Sequence, residues 1–461
     1  MSSSARHLFG TDGIRARFGE APLDRPTVTS LAAHLAATLR NDRNSQAGDS
    51  PLVVLGGDTR ESTPEICLWL AEGLTAGGAQ VQHAGVIPTP GVAWLTRELG
   101  AAAGAVVSAS HNPWPDNGIK LLDPRGFKWS EMAEAALERR LEKGTAEVPA
   151  LAAEVAADAS LRERYLSRLA STAAASAEHP LAGLKVVLDA GNGAASFYAG
   201  DLFERLGAAV TQIHVEPNGR NVNERCGSTA PEEMAARVVA EGADLGFAFD
   251  GDADRCILSD ERGEVRDGDA ILYLWATRLR EQGRLEPPRI VATTMSNLGL
   301  ERALDREGIG IERCNVGDRY VVETLQREGL ALGGEQSGHI VHLGLSSTGD
   351  GLLTAVQMAA IVQKEFQQTG RSLSELLAGF RRYPQILKNV RVQRKPDLAT
   401  LPRVVAAARS VEERLGADGR LVLRYSGTEP LARVMIEGPD QPTIEAMAGE
   451  LAGAIQDEIG A

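Results

Sequence analysis

A chain of 461 residues outgrows a single hydrophobic core, since cores stop growing near ~250–300 residues, so several domains and a cleft between them are expected. Apolar residues at 43% and charged residues at 24%, with glycines and prolines spread along the chain, fit a soluble globular protein and exclude wholesale disorder. The net charge of −14 and the lack of a long Lys/Arg tract argue against nucleic acid as a partner, and an acidic protein that handles an anion must gather its cations locally, beside loops.

The four cysteines, Cys67, Cys226, Cys256 and Cys314, form no C-x-x-C pair, which speaks against zinc or redox chemistry and for a reducing cytosol. The N-terminal stretch lacks an apolar signal region, and no apolar run approaches the ~18 residues that span a bilayer. A soluble cytoplasmic protein without a membrane partner is expected.

In chain order, FGTDGIR (residues 9–15) is a Gly-rich turn that ends on a cation, Arg15. PLVVLGGDTRESTPEICLWLAEGLTAGGAQV (51–81) then reads as a strand, a Gly/Asp turn, a helix and a second strand. An unalternating VVL strand suits a sheet covered on both faces, and the intervening helix supplies a parallel crossover. Pro64, behind Ser62 and Thr63, predicts a helix start with hydroxyl caps.

AVVSASHNPWPDNGIK (105–120) places Ser110, His111 and Lys120 behind an apolar strand. Neighbours in an extended loop point to opposite sides, so His111 is badly placed to deprotonate Ser110, and no G-x-S-x-G elbow occurs elsewhere. A Ser-His hydrolase is disfavoured. Residues 151–180 are Ala-rich with charges at helical spacing and predict a connecting helix closed by His179-Pro180.

The strand–turn–helix–strand plan returns in LKVVLDAGNGAASFYAGDLFERLGAAV (184–210) and RIVATTMSNLGLERALDREGIGIERCNV (289–316). Between them, LGFAFDGDADR (245–255) runs an apolar strand into Asp250, Asp252 and Asp254 at alternate positions, with Gly251 and Ala253 small enough for a tight curl. Converging carboxylates repel unless a cation sits among them, and an all-oxygen set indicates a hard ion such as Mg²⁺. A solvated acidic turn is the plain alternative. An EF-hand fails for want of the glycine and terminal glutamate of its loop, and a haloacid-dehalogenase-type D-x-D fits poorly with Asp254.

GGEQSGHI (333–340) offers Glu335, Ser337 and His339 on a glycine-bracketed loop suited to sugar hydroxyls, although a lone loop histidine is more often structural. From about Tyr383 the pattern changes to short strands and two helices, a smaller α+β module. Within it RYSGTEPLARVMIEG (424–438) gathers Arg424, Ser426, Gly427, Thr428 and Arg433 into an anion cradle, or else an ordinary hairpin turn. The expected fold class is α/β: three related mixed or parallel-sheet domains and a smaller C-terminal α+β domain around a central cleft, with boundaries at 1–155, 156–258, 259–380 and 381–461.

Four motifs in this order, SASHNP, DGDADR, GEQSGH and RYSGTEP, resemble the alpha-D-phosphohexomutase superfamily, and FGTDGIR, PNGRNVNERCGST, TTMSNLGLE, VGDRYVVE and STGDGLLTA extend the resemblance over nearly the whole chain. Ala16 departs from the glycine usual after FGTDGIR, and Gln336 resembles the glucosamine-type members. The resemblance implies four domains meeting at a cleft, a phosphoserine at Ser110 and one Mg²⁺ held by its phosphate with Asp250, Asp252 and Asp254. It further implies Arg255 and His111 beside the phosphoserine, and Glu335 and Ser337 on sugar hydroxyls. Arg424, Ser426, Gly427, Thr428 and Arg433 would hold the non-reacting phosphate, and Lys120, His339 or Arg15 would move protons.

The reaction it implies exchanges glucosamine 6-phosphate and glucosamine 1-phosphate through a bound 1,6-bisphosphate, supplying amino-sugar nucleotide and cell-wall precursor synthesis. Glucose- or mannose-phosphate mutation, and more remotely a non-catalytic sugar-phosphate sensor, are the alternatives. A homodimer stays open.

Overall fold

A computed structural model describes residues 8–10, 12–41, 50–142, 144, 148–149, 156–173, 178–426 and 429–461. It divides into two compact units, one drawn from residues up to Met295 together with Ile311–Leu377, the other from Ser296–Gly310 with Ala378–Ala461.

The first unit carries three sheets. The first contains β1 (Ile14–Arg17), β2 (Leu52–Gly57), β3 (Gln80–Val86), β4 (Ala103–Val107) and β5 (Asp116–Leu122) in the order β1-β5-β4-β2-β3. The second contains β6 (Lys185–Asp189), β7 (Ala209–Ile213), β8 (Leu245–Phe249), β9 (Cys256–Asp260) and β10 (Val265–Arg266) in the order β10-β9-β8-β6-β7. The third contains β11 (Arg289–Thr293), β12 (Gly310–Cys314), β13 (Leu332–Gly334) and β14 (Ile340–His342) in the order β12-β11-β13-β14.

One plan underlies all three. A founding strand (β2, β6 or β11) lies between its two successors and pairs in parallel with the later one, and that strand (β4, β8 or β13) is followed by an antiparallel neighbour (β5, β9 or β14). Parallel strands need a crossover helix, but an antiparallel return needs only a loop. Each domain therefore exposes one short loop at the carboxyl end of a central strand. SASHNP, DGDADR and GEQSGH occupy that loop in the first, second and third sheets respectively.

The central strands are apolar because both faces are covered: β4 and β8 are buried at every position. The helix predicted at Pro64 runs over Thr63–Ala76, but Ser62 makes no capping bond to it. Its hydroxyl accepts from Asn117 Nδ2 of β5 at 2.9 Å, and Thr63 Oγ1 donates to Asp58 in the turn after β2 at 3.1 Å, so both hydroxyls serve tertiary contacts instead. The connecting helix is shorter than expected. It spans Ala159–Ala170 with Asp158 as its cap, and residues 151–155 and 174–177 lie outside the described ones. Ala16 sits in β1 opposite Asn117, an edge position that admits a Cβ.

The second unit packs helices Pro402–Leu415 and Gln441–Ile459 on an antiparallel sheet of β15 (Gln385–Arg391), β16 (Arg420–Tyr425) and β17 (Leu431–Glu437), ordered β15-β17-β16. Buried Glu437 ties in helix Leu298–Arg306 by accepting from Asn297 Nδ2 at 3.0 Å and from the Leu298 N–H at 3.3 Å. Among the described residues no helix is long and apolar enough to cross a membrane, and the four cysteines are free and buried.

Candidate active site

Ser110 lies just past the end of β4 with φ at 51°, in the left-handed region that non-glycine residues seldom adopt. The surrounding bonds hold it there. Buried Arg60 donates to the carbonyls of Ser110 and Asn112, both at 2.8 Å, and to those of Pro113 and Asp116 at 2.6 and 2.9 Å. Asp58 takes Arg60 Nε at 2.9 Å and the Ser108 hydroxyl at 2.6 Å, and Ser108 Oγ accepts the Ser110 N–H at 2.9 Å. Asn223, from the second domain, adds a 2.9 Å bond to the Ser110 carbonyl.

The turn after β8 puts Asp250, Asp252 and Asp254 together, fully or nearly buried, with oxygens within 4.8 Å of one another. A Cβ on Gly251 would lie 2.7 Å from the Ser110 carbonyl, so only glycine admits the serine loop. Ser110 Oγ donates to Asp250 Oδ2 at 2.6 Å. Lys120, on β5, donates to Asp252 Oδ2 at 2.9 Å and lies 3.6 Å from Asp254, while Thr89 Oγ1 gives Asp252 a further 2.6 Å bond.

Burial and the neighbouring Asp254 and Asp252 charges hold the Asp250 carboxyl well above the usual carboxylate range. Burial would likewise raise Asp254, but Lys120, His339 and Arg255 drive it down. Lys120 is pulled downward by burial, yet Asp12, Asp252 and Asp254 outweigh that and keep it an ammonium. The cluster is thus short of positive charge even with Lys120 inside it.

Several buried polar atoms have no hydrogen-bond partner among the described residues: Asp252 Oδ1, Asp254 Oδ1, Arg255 Nε, Ser337 Oγ and Arg15 Nε. Buried orphans are costly unless a bound group satisfies them. Two lone carboxylate oxygens in an all-oxygen cluster fit a hard divalent cation, so the triad could hold a metal.

Arg255 reaches toward the cluster with Nε 4.0 Å from Asp250 and 3.9 Å from Asp254. His111 departs from expectation. Because Ser110 is left-handed rather than extended, His111 Nδ1 comes within 3.4 Å of Ser110 Oγ, although the hydroxyl gives its proton to Asp250. Burial, Arg255 and Arg15 lower the His111 pKa to about 4, which leaves a neutral ring. Arg15 pairs with Asp12 and donates to Asn112 Oδ1 at 3.3 Å.

His339 is buried with Nδ1 3.6 Å from Asp254, and its Nε2 accepts the Gly349 N–H at 3.0 Å. Burial lowers its pKa, but Asp254 outweighs that, for a net rise. Glu335 accepts the Gly317 N–H at 2.9 Å. Gln336 points away and donates to Asp267 at 3.1 Å, so its side chain braces helix Gly268–Glu281 instead of facing the loop's open side.

On the second unit Arg424 and Arg433 stand directly opposite on β16 and β17, which brings two guanidiniums to one face. Like charges so placed repel unless an anion lies between them. Arg433 donates to Ser426 Oγ at 3.3 Å and pairs with Glu429 at 2.9 Å, its Nε stays without a partner among the described residues, and Lys395 donates to the Ser426 carbonyl at 2.6 Å. Gly427 and Thr428, expected in the same cradle, lie outside the described residues.

A second group of metal-ligating side chains, Asp189, His214 and Cys226, reads as a structural tie. Asp189 already accepts the Gly191 and Gly227 N–H groups at 2.9 Å and His214 Nδ1 at 3.0 Å, and burial pushes the Cys226 thiol up to about 12. Sequence reasoning missed Asp58, Arg60, Thr89, Asn223, Asp12, Lys128 and Asp318. Of these, DTR (58–60) had a usable signal, an Asp and an Arg on the Gly-bracketed turn after an unalternating strand.

The four domain types of the phosphoglucomutase/phosphomannomutase family match in order: alpha/beta/alpha domain I at residues 6–148, domain II at 163–263, domain III at 267–383 and the C-terminal domain at 387–454. The phosphoglucosamine mutase of Solibacter usitatus is 45% identical over 99% of this chain and 100% of its own, and that of Cereibacter sphaeroides 46% identical over 98% and 99%. Among solved structures, a phosphoglucomutase/phosphomannomutase family protein from Burkholderia thailandensis covers 99% of both chains with a TM-score of 0.78 at 23% identity, a likeness of fold. The N-acetylphosphoglucosamine mutase of Aspergillus fumigatus, solved with GlcNAc-6P and magnesium, covers 98% of this chain and 95% of its own with a TM-score of 0.64 at 18% identity.

Proposed function

Because the chain belongs to the phosphoglucomutase/phosphomannomutase family and matches phosphoglucosamine mutases from end to end, we propose that it interconverts glucosamine 6-phosphate and glucosamine 1-phosphate through a phosphorylated Ser110. The observation that carries the reading is the Ser110 hydroxyl, held 2.6 Å from Asp250 on the rim of a buried three-carboxylate cluster that also anchors Lys120. This serine sits where its phosphate would meet a cation held by the three aspartates.

Phospho-Ser110 gives its phosphoryl group to the free hydroxyl of the bound sugar phosphate. One oxygen–phosphorus bond breaks at Ser110 Oγ, one forms at the sugar, and the sugar hydroxyl loses the proton that Ser110 Oγ gains. The bisphosphate then turns over and returns its other phosphoryl group to Ser110. Lys120, bonded to Asp252, would pass the proton from the sugar hydroxyl to Ser110 Oγ and withdraw charge, and His339 and Arg15 are the other candidates for moving protons.

One Mg²⁺, held by Asp250, Asp252, Asp254 and the Ser110 phosphate, would offset their repulsion and draw charge off the transferring group. Arg255 and His111 contact the phosphoserine. Glu335 and Ser337 hold sugar hydroxyls, and the Ser337 hydroxyl, without a partner among the described residues, is the kind of donor a sugar needs. Arg424, Ser426, Gly427, Thr428 and Arg433 take whichever phosphate is not reacting, because a cradle of charge and hydroxyls tolerates both sugar orientations better than a shaped pocket does.

On this reading residues 1–155 supply the phosphoserine loop, 156–258 the metal loop, 259–380 the sugar loop and 381–461 the phosphate loop of a soluble cytoplasmic enzyme. The test is kcat/KM for glucosamine, glucose and mannose 1-phosphates with the phosphorylated protein. Glucosamine 1-phosphate should be favoured. Equal or better use of the glucose or mannose ester would assign the chain to those substrates, and no turnover of any of them would end the mutase reading.

A further inference from the structure

Lys120 does not face the aspartate cluster alone. Its far side meets Asp12 of the FGTDGIR turn at 3.4 Å. Asp12 in turn pairs with Arg15 and with Lys128, just beyond β5, and Lys128 also pairs with Asp318 at the start of helix Asp318–Glu328 in the third domain. Asp252, Lys120, Asp12, Lys128 and Asp318 thus form one run of alternating charge.

The groups around each member are few. Asp12 faces Lys120, Lys128 and Arg15, which carry it well below the usual carboxylate range although burial alone would raise it. Lys128 faces Asp12 and Asp318, with Lys120 repelling it. Asp318 also accepts the Arg319 N–H at 2.7 Å.

The run ends next to the sugar loop. Gly317, the residue before Asp318, gives its N–H to Glu335 Oε1 at 2.9 Å. Arg319, the residue after it, is clamped to Glu134 of the first domain at 2.9 and 2.8 Å. The turn at 317–319 therefore touches Glu335 with one residue and grips the first domain with the next two.

We propose that Lys128, clamped between Asp12 and Asp318, is a positioning residue that couples the Glu335 sugar loop to the Lys120 end of the phosphoryl-transfer site. The proposal rests on the mutase reading above. Removing Lys128 takes from Asp318 its lysine partner and leaves Asp12 held by Lys120 and Arg15 alone. Asp12 then moves toward Lys120 and Arg15, and Lys120 is drawn off Asp252. Lys120 acts at the reacting atoms, whereas Glu335 is one of several groups on the sugar, so the loss falls mainly on turnover and only slightly on sugar binding.

The experiment measures kcat, KM for glucosamine 1-phosphate and melting temperature for wild type, Lys128→Met, Lys128→Arg, Asp318→Asn and the Lys128→Met/Asp318→Asn double variant. Lys128→Met should lower kcat by about 10- to 100-fold, the scale on which a misplaced group costs rate, with KM within about threefold. Lys128→Arg should recover most of that loss, and the double variant should be no slower than Lys128→Met, since both substitutions break one link. A kcat within twofold of wild type in folded Lys128→Met, or a Lys128→Arg as slow as the methionine variant, overturns the proposal. So does a double variant whose losses multiply. If Lys128→Met does not fold, Asp318→Asn decides by the same kcat and KM criteria. A wild type that turns over no glucosamine phosphate would bring down the mutase reading itself, an outcome distinct from active wild type with unaffected variants.

Discussion

Arg60→Met should dismantle the Ser110 loop without touching the reacting atoms. The guanidinium is buried, is paired with buried Asp58, and donates to four carbonyls between Ser110 and Asp116. Breaking a buried pair from one side costs about 3–5 kcal/mol because the remaining charge is stranded. The orphaned carbonyls add to this, at about 1–3 kcal/mol for each one that water cannot reach. Ser110 is held in a left-handed conformation that costs of order 1–3 kcal/mol, so the loop has a reason to relax once its tether is gone. A chain of several domains does not unfold in one step, so the local cost is best read by amide hydrogen exchange over residues 108–117. A loss of about 4 kcal/mol there corresponds to roughly a thousandfold faster exchange. Phosphoryl transfer should fall at least about a hundredfold with Asp250, Asp252 and Lys120 unchanged. Arg60→Lys should rescue little, because one ammonium cannot span five acceptors. Unchanged exchange in 108–117, or wild-type turnover, would refute this account of the loop.

Asp252→Asn, or removal of divalent cations by chelation, should abolish turnover and leave circular dichroism unchanged; activity that survives chelation would speak against a metal at the triad. Arg433→Ala should raise KM for the sugar phosphate by about tenfold or more with a smaller effect on kcat, as expected for a uniform binding contact, and unaltered KM would remove the cradle from the site. Burial lifts the Asp350 carboxyl to about 6, above its unfolded value, so the folded state binds the extra proton between about pH 4 and 6 and loses stability as pH rises through that window. Asp350→Asn keeps the bonds to Leu353 N–H and Tyr165 OH, the latter with its donor reversed, and should erase that slope while leaving stability at pH 7 equal or higher; melting temperatures across pH 4–7 that keep the wild-type slope would count against it.

What was legible in the sequence is what local chain geometry dictates. Asp250, Asp252 and Asp254 could be read because an unalternating strand had to end in a short loop, and three carboxylates cannot share that loop without a reason. Ser110 was legible for a like cause, at a strand end one domain earlier, whereas Lys120, on β5, was assigned a role only through the family resemblance. The partners of those residues were not, because sequence offers no sign of a bond such as Thr89 to Asp252 or Lys128 to Asp318, made across 163 and 190 positions. Local rules also misled where tertiary contacts outbid them. Ser62 and Thr63 were read as helix caps and serve Asn117 and Asp58, and His111 was turned away from Ser110 on the premise of an extended backbone that Ser110 does not have. Gln336, the residue that suggested an amino sugar, spends its side chain on Asp267, so the substrate assignment rests on the whole chain and not on that position.

The central claim is that Ser110 carries the phosphoryl group. Intact-mass analysis and peptide mapping of the purified chain, before and after exposure to a hexose bisphosphate, test it together with mutase assays on wild type and Ser110→Ala. The account predicts a single phosphoryl adduct on the Ser110 peptide in the wild type, and neither adduct nor turnover in the variant. A stable adduct at another residue, or full mutase activity in Ser110→Ala, would contradict it.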